Sequence, residues 1–242
     1  MIKKIKSIIP IKTKANVKNF LKHLKTRSIK EISFKESFVR HNNQYLEEEA
    51  FERELAIHKK ITMHTKSKEG ILNNIYEYQD SVGYFLDKNL NITNVIDIGS
   101  GTGWFVNFVS SNYQSIKSII AIEPSIAAIH ISKRIYGENE KITYINGFAD
   151  KAIKDLSKDV YLVTTFAVFQ HLNILYTKRV LKSLNMVLKK NSVLIFKEPI
   201  ANSKYERFNL HYPRSEKFWK KNLKNFEVNF FNNKLIVAKK VV

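Results

Sequence analysis

The segment Val95-Ile-Asp-Ile-Gly-Ser-Gly-Thr-Gly-Trp104 constrains this chain more than any other stretch. The apolar run Val95–Ile98 leads straight into glycines at 99, 101 and 103, and helical spacing resumes over 103–111. Glycine lacks a Cβ, so the turn can take left-handed backbone conformations and let a ligand approach the main chain. A strand, a glycine-rich turn and a helix in that order make such a motif informative about nucleotide-like ligands. Dinucleotide sites use Gly-x-Gly-x-x-Gly with a phosphate at the helix N-terminus. Here Trp104 stands where the last glycine would be, which leaves NAD as a minor alternative. No Gly-Lys-Ser/Thr follows, and that excludes a P-loop.

The rest of the chain supplies the frame for this turn. Strand-like runs recur at Ser118–Ile122, Ile142–Ile145, Val160–Thr165 and Val193–Phe196, with helical segments near 125–135, 149–156 and 174–189. Strands alternating with helices predict βαβ units and a parallel sheet. The end breaks that rhythm. Phe226–Phe231 and Lys234–Ala238 meet at Asn232-Asn233, and asparagine tolerates the positive φ of a tight hairpin. The expected fold is therefore α/β, with a doubly wound, mostly parallel seven-stranded sheet closed by a C-terminal antiparallel hairpin. Upstream, residues 44–60 and 68–88 read as helices, the second with Ile71, Leu72, Ile75, Tyr78, Val82 and Phe85 on its apolar side. Residues 1–67 are expected to form a basic, amphipathic helical N-terminal extension, and 68–242 the main domain.

Charge narrows the choice of partners. The net charge is +19, but residues 1–30 hold ten Lys/Arg and no acid, and residues 203–242 hold ten against three acids. The intervening stretch carries 21 bases against 19 acids. Its near neutrality disfavours nucleic acid as the main substrate, and no recognisable RNA-binding signature occurs. Ile2, Ile5 and Ile9, and then Val17, Phe20, Leu21 and Leu24, form apolar stripes flanked by lysines. Such helices can lie on an anionic membrane surface or pack on the domain. No apolar run is long enough to span a bilayer, and the start lacks the apolar core of a signal peptide. The expected location is the cytoplasm, with peripheral membrane contact through residues 1–30. Cysteine is absent, which removes disulfides, thiolate zinc sites and cysteine nucleophiles. The seven histidines show no paired spacing, and no metal is expected.

An acid followed by Gly-x-Gly-x-Gly, as in Asp97 to Gly103, resembles the first motif of the class I S-adenosylmethionine-dependent methyltransferase family. Ile119-Ile-Ala-Ile-Glu123-Pro-Ser125 places an acid at the end of the next strand, where that family keeps one for both ribose hydroxyls. The resemblance extends over about residues 68–240 and implies S-adenosyl-L-methionine as cofactor. It assigns cofactor contacts to Asp97, Gly99, Ser100, Gly101, Gly103, Glu123 and Pro124. It assigns the adenine to Phe148, Ala149 and Asp150 after the third strand, and the methionine end to Thr165 and Phe166 after the fourth. Asp97 would orient the methionine amino group. Lys190-Asn-Ser192 departs from the family's common Pro-Gly-Gly turn before the fifth strand.

Methyl transfer needs an aligned acceptor, a site closed to water and, for a hydroxyl acceptor, a base titrating near neutrality. His171, just beyond the fourth strand, and Glu198, at the end of the fifth, are the candidate catalytic groups. Tyr212 and Arg214, in Asn209-Leu-His-Tyr-Pro-Arg-Ser215, are the candidate substrate contacts, Arg214 through a phosphate or carboxylate. The expected activity is methylation of a small molecule or glycan precursor at oxygen. The alternatives are an RNA methyltransferase and a non-catalytic scaffold that retains the fold.

Overall fold

Strand β1 (Asn94–Ile98) lies inside a seven-stranded sheet of order β3-β2-β1-β4-β5-β7-β6. The computed structural model describes residues 39, 41–62, 70–89, 91–201, 213–232 and 234–242. Strands β2 (Ser118–Glu123), β3 (Ile142–Asn146), β4 (Leu162–Phe166) and β5 (Val193–Lys197) run parallel to β1. Strand β7 (Leu235–Lys240) is antiparallel to both β5 and β6 (Phe226–Phe231), as the asparagine turn predicts. Asn232 carries a positive φ of 48°.

Alternation along the strands divides the interior in two. Ile96, Ile98, Ile122, Val163, Leu194, Phe196, Ile236 and Ala238 face one core, and Val95, Ile119, Ala121, Leu162, Val193 and Ile195 face the other. A period of two is the strand's own geometry, and burial on both faces requires apolar residues at both parities. Helix α6 (Ile174–Val187) seals the first core with Val180, Leu181, Leu184 and Val187. Helix α2 (Gly70–Lys88) seals the second with Tyr78, Val82 and Leu86, and the Tyr78 hydroxyl donates to the Ile195 carbonyl at 2.9 Å.

Helices α3 (Trp104–Asn112) and α4 (Ile126–Tyr136) follow β1 and β2. The expected 149–156 helix is α5 (Ala149–Ala152) followed by a 3-10 turn over Ile153–Asp155. The chain order reverses between β1 and β4, so the crevice beyond their carboxyl ends is where a sheet of this kind binds its ligand. The helix expected over 44–60 starts only at Ala50 (α1, Ala50–Thr62). Before it, the amides of Tyr45 and Leu46 close turns onto the carbonyls of Asn42 and Asn43. Residues 1–30, the expected membrane-binding stripes, lie outside the described residues.

Candidate active site at the strand ends

The amides of Gly99 and Ser100 both donate to the Ile122 carbonyl, at 2.8 and 3.2 Å, and pin the glycine turn to the end of β2. Two of its glycines are obligatory. Gly99 has φ 71°, and a Cβ there would stand 2.5 Å from Val168 Cγ2; Gly103 has φ 79°, and its Cβ would meet Ser132 Oγ at 1.9 Å. Left-handed backbone with no room for a side chain leaves only glycine.

Beside this turn lie two buried carboxylates. Glu123 is fully enclosed at the end of β2. Its Oε1 accepts from the Ser125 amide at 2.8 Å and stands 3.2 Å from His41 Nε2, while Oε2 accepts from the Gly101 amide at 2.9 Å. Asn146 Nδ2 donates to the carbonyls of Glu123 and Pro124, at 3.1 and 3.0 Å, which fixes the strand end. Asp97 accepts from Thr164 Oγ1 at 2.7 Å, and burial pushes its carboxyl up from 3.8 to about 7 despite that hydrogen bond, with Glu123 adding to the rise. A cation bound beside Asp97 would favour its ionised form.

After β3, Phe148 is half-buried against the first core and its ring meets Tyr176 at 6.0 Å. Ala149 is buried at the start of α5. Asp150 is engaged elsewhere: Tyr176 donates to it at 2.6 Å, and Arg179 Nε lies 3.5 Å from its other oxygen.

At the end of β5, Glu198 is as buried as Glu123 but arranged differently. Its Oε1 accepts from Thr165 Oγ1 at 3.1 Å and from the amides of Val168 and Phe169 at 2.8 Å, and Oε2 accepts from the Gln170 amide at 2.9 Å. Burial raises its carboxyl to about 7, and those donors hold it down. The carboxylate anchors the Phe169–His171 turn through these bonds, and Glu198 also borders the cavity beside that turn. His171 sits on that turn, its Nε2 3.2 Å from Gln170 Nε2. Gln170 in turn lines a cavity of about 340 Å³ with Asn74, Phe166, Ala167, Lys197, Glu198, Pro199 and Lys234. Arg214 is buried, with one guanidinium nitrogen donating to the Leu172 carbonyl at 2.5 Å. It fastens its segment to the turn after β4 and is not exposed to take a substrate anion. Tyr212 lies outside the described residues. Among the described residues, no group of His, Asp or Glu is placed to hold a metal ion.

A family model for the methyltransferase domain matches residues 71–234. The chain belongs to the class I S-adenosylmethionine-dependent methyltransferase family. Among solved structures, this methyltransferase is similar to a candidate O-methyltransferase from Nostoc punctiforme, at 17% identity and a TM-score of 0.55 over 68% of this chain and 56% of that one. It is also similar to Synechocystis magnesium protoporphyrin IX methyltransferase, solved with its cofactor bound, at 16% identity and a TM-score of 0.52, over 70% and 81% of the two chains. A third is the methyltransferase domain of a bacterial Hen1 protein, at 16% identity and a TM-score of 0.53, over 70% of this chain and all of that one. The chain thus spans little more than half the length of the first of these. At such identities the likeness is one of fold. No curated protein matches the chain.

The cofactor of this methyltransferase is S-adenosylmethionine, and the residues present suit it. A buried carboxylate at Asp97 suits a cationic amino group, buried acceptors at Glu123 suit paired hydroxyls, and the glycine turn leaves backbone open to close approach. Sequence reasoning missed a third part of the site. Asn42 Oδ1 accepts from Ser125 Oγ at 2.9 Å, and the Tyr45 hydroxyl is the nearest group to where a Gly101 Cβ would stand, at 3.7 Å. Glu54 accepts from Thr102 Oγ1 at 2.9 Å, so His58 Nε2, 2.9 Å from the same hydroxyl, is the donor there. Burial lowers His58 to about 4 and keeps it neutral. Residues 41–58 of the methyltransferase, assigned by sequence to the extension, therefore lie on the glycine turn. Their spacing fits an ordinary helix, and nothing local marks His41 or Tyr45 as reaching inward.

Proposed function

We propose that the protein transfers the methyl group of S-adenosylmethionine to an oxygen of a small-molecule or glycan-precursor acceptor, with His171 taking the hydroxyl proton. The observation that carries this reading is the cavity beyond β4 and β5, of a volume typical for small ligands, whose lining residue Gln170 contacts His171. In this reading Glu123 and Pro124 bind the ribose, with Gly99, Ser100, Gly101 and Gly103 beneath the cofactor. Asp97 holds the ammonium, Phe148 and Ala149 bound the adenine, and Thr165 and Phe166 flank the methionine end.

The cofactor supplies an electrophilic methyl on a good leaving group, so that a C–O bond forms as the C–S bond breaks and S-adenosylhomocysteine leaves. The chain's own work is to align the acceptor oxygen, exclude water and accept one proton. Glu198 contributes by fixing the backbone on which His171 stands. We further propose that residues 1–30 hold the enzyme at an anionic membrane surface in the cytoplasm. No helix among the described residues is long and apolar enough to cross a membrane.

Methyl incorporation from labelled cofactor into a panel of sugars, lipids, phenols and RNA tests the reading. A hydroxylated small molecule should be labelled, and His171→Asn should lower the rate by about 10²–10⁴ at pH 7 with S-adenosylhomocysteine affinity intact. Labelling of RNA alone, or full activity in His171→Asn, would overturn it. Deleting residues 1–30 should abolish binding to phosphatidylserine vesicles without loss of cofactor binding.

A further inference from the structure

The acceptor half of the cleft has a chemistry of its own. Lys197 ends β5 with its side chain only 10% exposed, and its Nζ donates to Glu77 Oε2 on α2 at 2.7 Å. Glu77 itself is 65% exposed. An ion pair with one partner in water contributes less than about 1 kcal/mol, whereas enclosing an ammonium costs several. An apolar residue would close this end of the sheet more cheaply, so stability alone does not explain a lysine here.

The cavity beside it is walled largely by apolar surface, and two amine-bearing residues, Lys197 and Lys234, line it together with Asn74 and Gln170. Glu198 also lines the cavity, but its oxygens accept from backbone amides and Thr165, and the Lys197 amine goes to Glu77 instead. Glu77 shows what the pair of lysines favours: the Lys197 hydrogen bond and charge, and then the charge of Lys234, hold its carboxyl below the usual range. The protein's own carboxylate, Glu77, is already paired with one of the two lysines.

We propose that the methyl acceptor carries a compact oxyanion, a carboxylate or phosphate, which Lys197 and Lys234 bind in the cavity beyond β4 and β5. Lys197 exchanges Glu77 for the acceptor, and Glu77 returns to water at little cost because it is mostly solvated already. Gln170 borders the same cavity and touches His171, so an acceptor anchored there presents its neighbouring atoms to the proposed base. This inference rests on the reading of the cavity as the acceptor site.

The test uses the full chain saturated with S-adenosylhomocysteine and titrated with inorganic phosphate, acetate or chloride at constant ionic strength. Resonances of the Gln170 and Asn74 carboxamides are followed by NMR. Saturable shifts with phosphate, acetate or both are expected, and the stronger of the two names the acceptor's anionic group. Lys197→Met and Lys234→Met should each weaken that binding about tenfold while leaving S-adenosylhomocysteine affinity unchanged. Glu77→Gln should tighten it about threefold or more, a gain that misfolding cannot produce. Shifts equal to those with chloride, or an affinity indifferent to Lys197 and Glu77, would overturn the proposal. Failure of wild-type protein to bind S-adenosylhomocysteine would instead count against the cofactor reading, with the anion titration still interpretable on ligand-free protein.

Discussion

Glu123 ends β2 and Glu198 directly follows β5 in the same sheet; both are buried, and they draw their donors from different places. Glu198 has four donors, three of them amides of one turn, and all belong to elements locked in place by the fold. Glu123 has two amides from its own surroundings, and its third partner, His41, comes from outside the sheet with a side chain 39% exposed. A carboxylate saturated by backbone amides is a structural anchor, because displacing any donor leaves an unsatisfied buried group. One whose partner can move into water keeps an oxygen to offer a ligand. Residue type and strand position do not separate these roles; the ownership of the donors does.

The largest effect should come from removing Glu123, the member we propose binds the ribose. Glu123→Ala is expected to weaken S-adenosylhomocysteine binding about a hundredfold by calorimetry, since a charge-assisted hydrogen bond to each ribose hydroxyl is lost. Glu198→Gln should act on stability first. It places a carboxamide where only acceptors are wanted, and a loss of about 2–4 kcal/mol in denaturant unfolding is expected. Methyl transfer should fall with it through the misplaced Phe169–His171 turn, while cofactor affinity changes little. If Glu198→Gln left stability intact and abolished turnover alone, the anchor assignment would fail and a direct catalytic role would return.

This contrast also marks how far the sequence could be read. The sheet, its hairpin and the cofactor turn were legible because each rests on local signals: periodicity, the asparagine pair, and glycines at 99 and 103 that no other residue can replace. That an acid at 123 would stand against that turn was legible through its distance from it. Glu198 and Arg214 were not, since both look like strand-end or loop charges until the turn after β4 folds against them. The contribution of His41 and Tyr45 was hidden for the same reason. Tyr45 sits in a turn where a helix was expected, and His41 lies upstream of that expected helix, so both reach the site through tertiary contacts with no local trace.

A smaller effect comes from pH. Asp97 titrates near 7 in the folded protein and near 3.8 when unfolded, so the ligand-free chain takes up a proton on folding between those values. Its contribution to stability is full below about pH 4 and is lost as pH rises through 7. Cofactor binding runs the other way, because an ammonium beside Asp97 prefers the anion. S-adenosylmethionine affinity should rise about tenfold from pH 6 to pH 8, and that dependence should flatten in Asp97→Asn, which also binds more weakly. A flat wild-type profile would mean that the amino group lies elsewhere.

The smallest effect tests the movable partner itself. Glu123 Oε1 already receives the Ser125 amide, so a ribose hydroxyl and the His41 imidazole compete for what remains of that oxygen. His41→Ala should therefore tighten S-adenosylhomocysteine binding two- to threefold, under about 1 kcal/mol, which is the worth of a half-exposed contact. Weaker binding in His41→Ala would mean that the imidazole contacts the nucleoside directly. The movable donor would then be part of the pocket, and Glu123 would differ from Glu198 in the donors it keeps and not in the one it gives up.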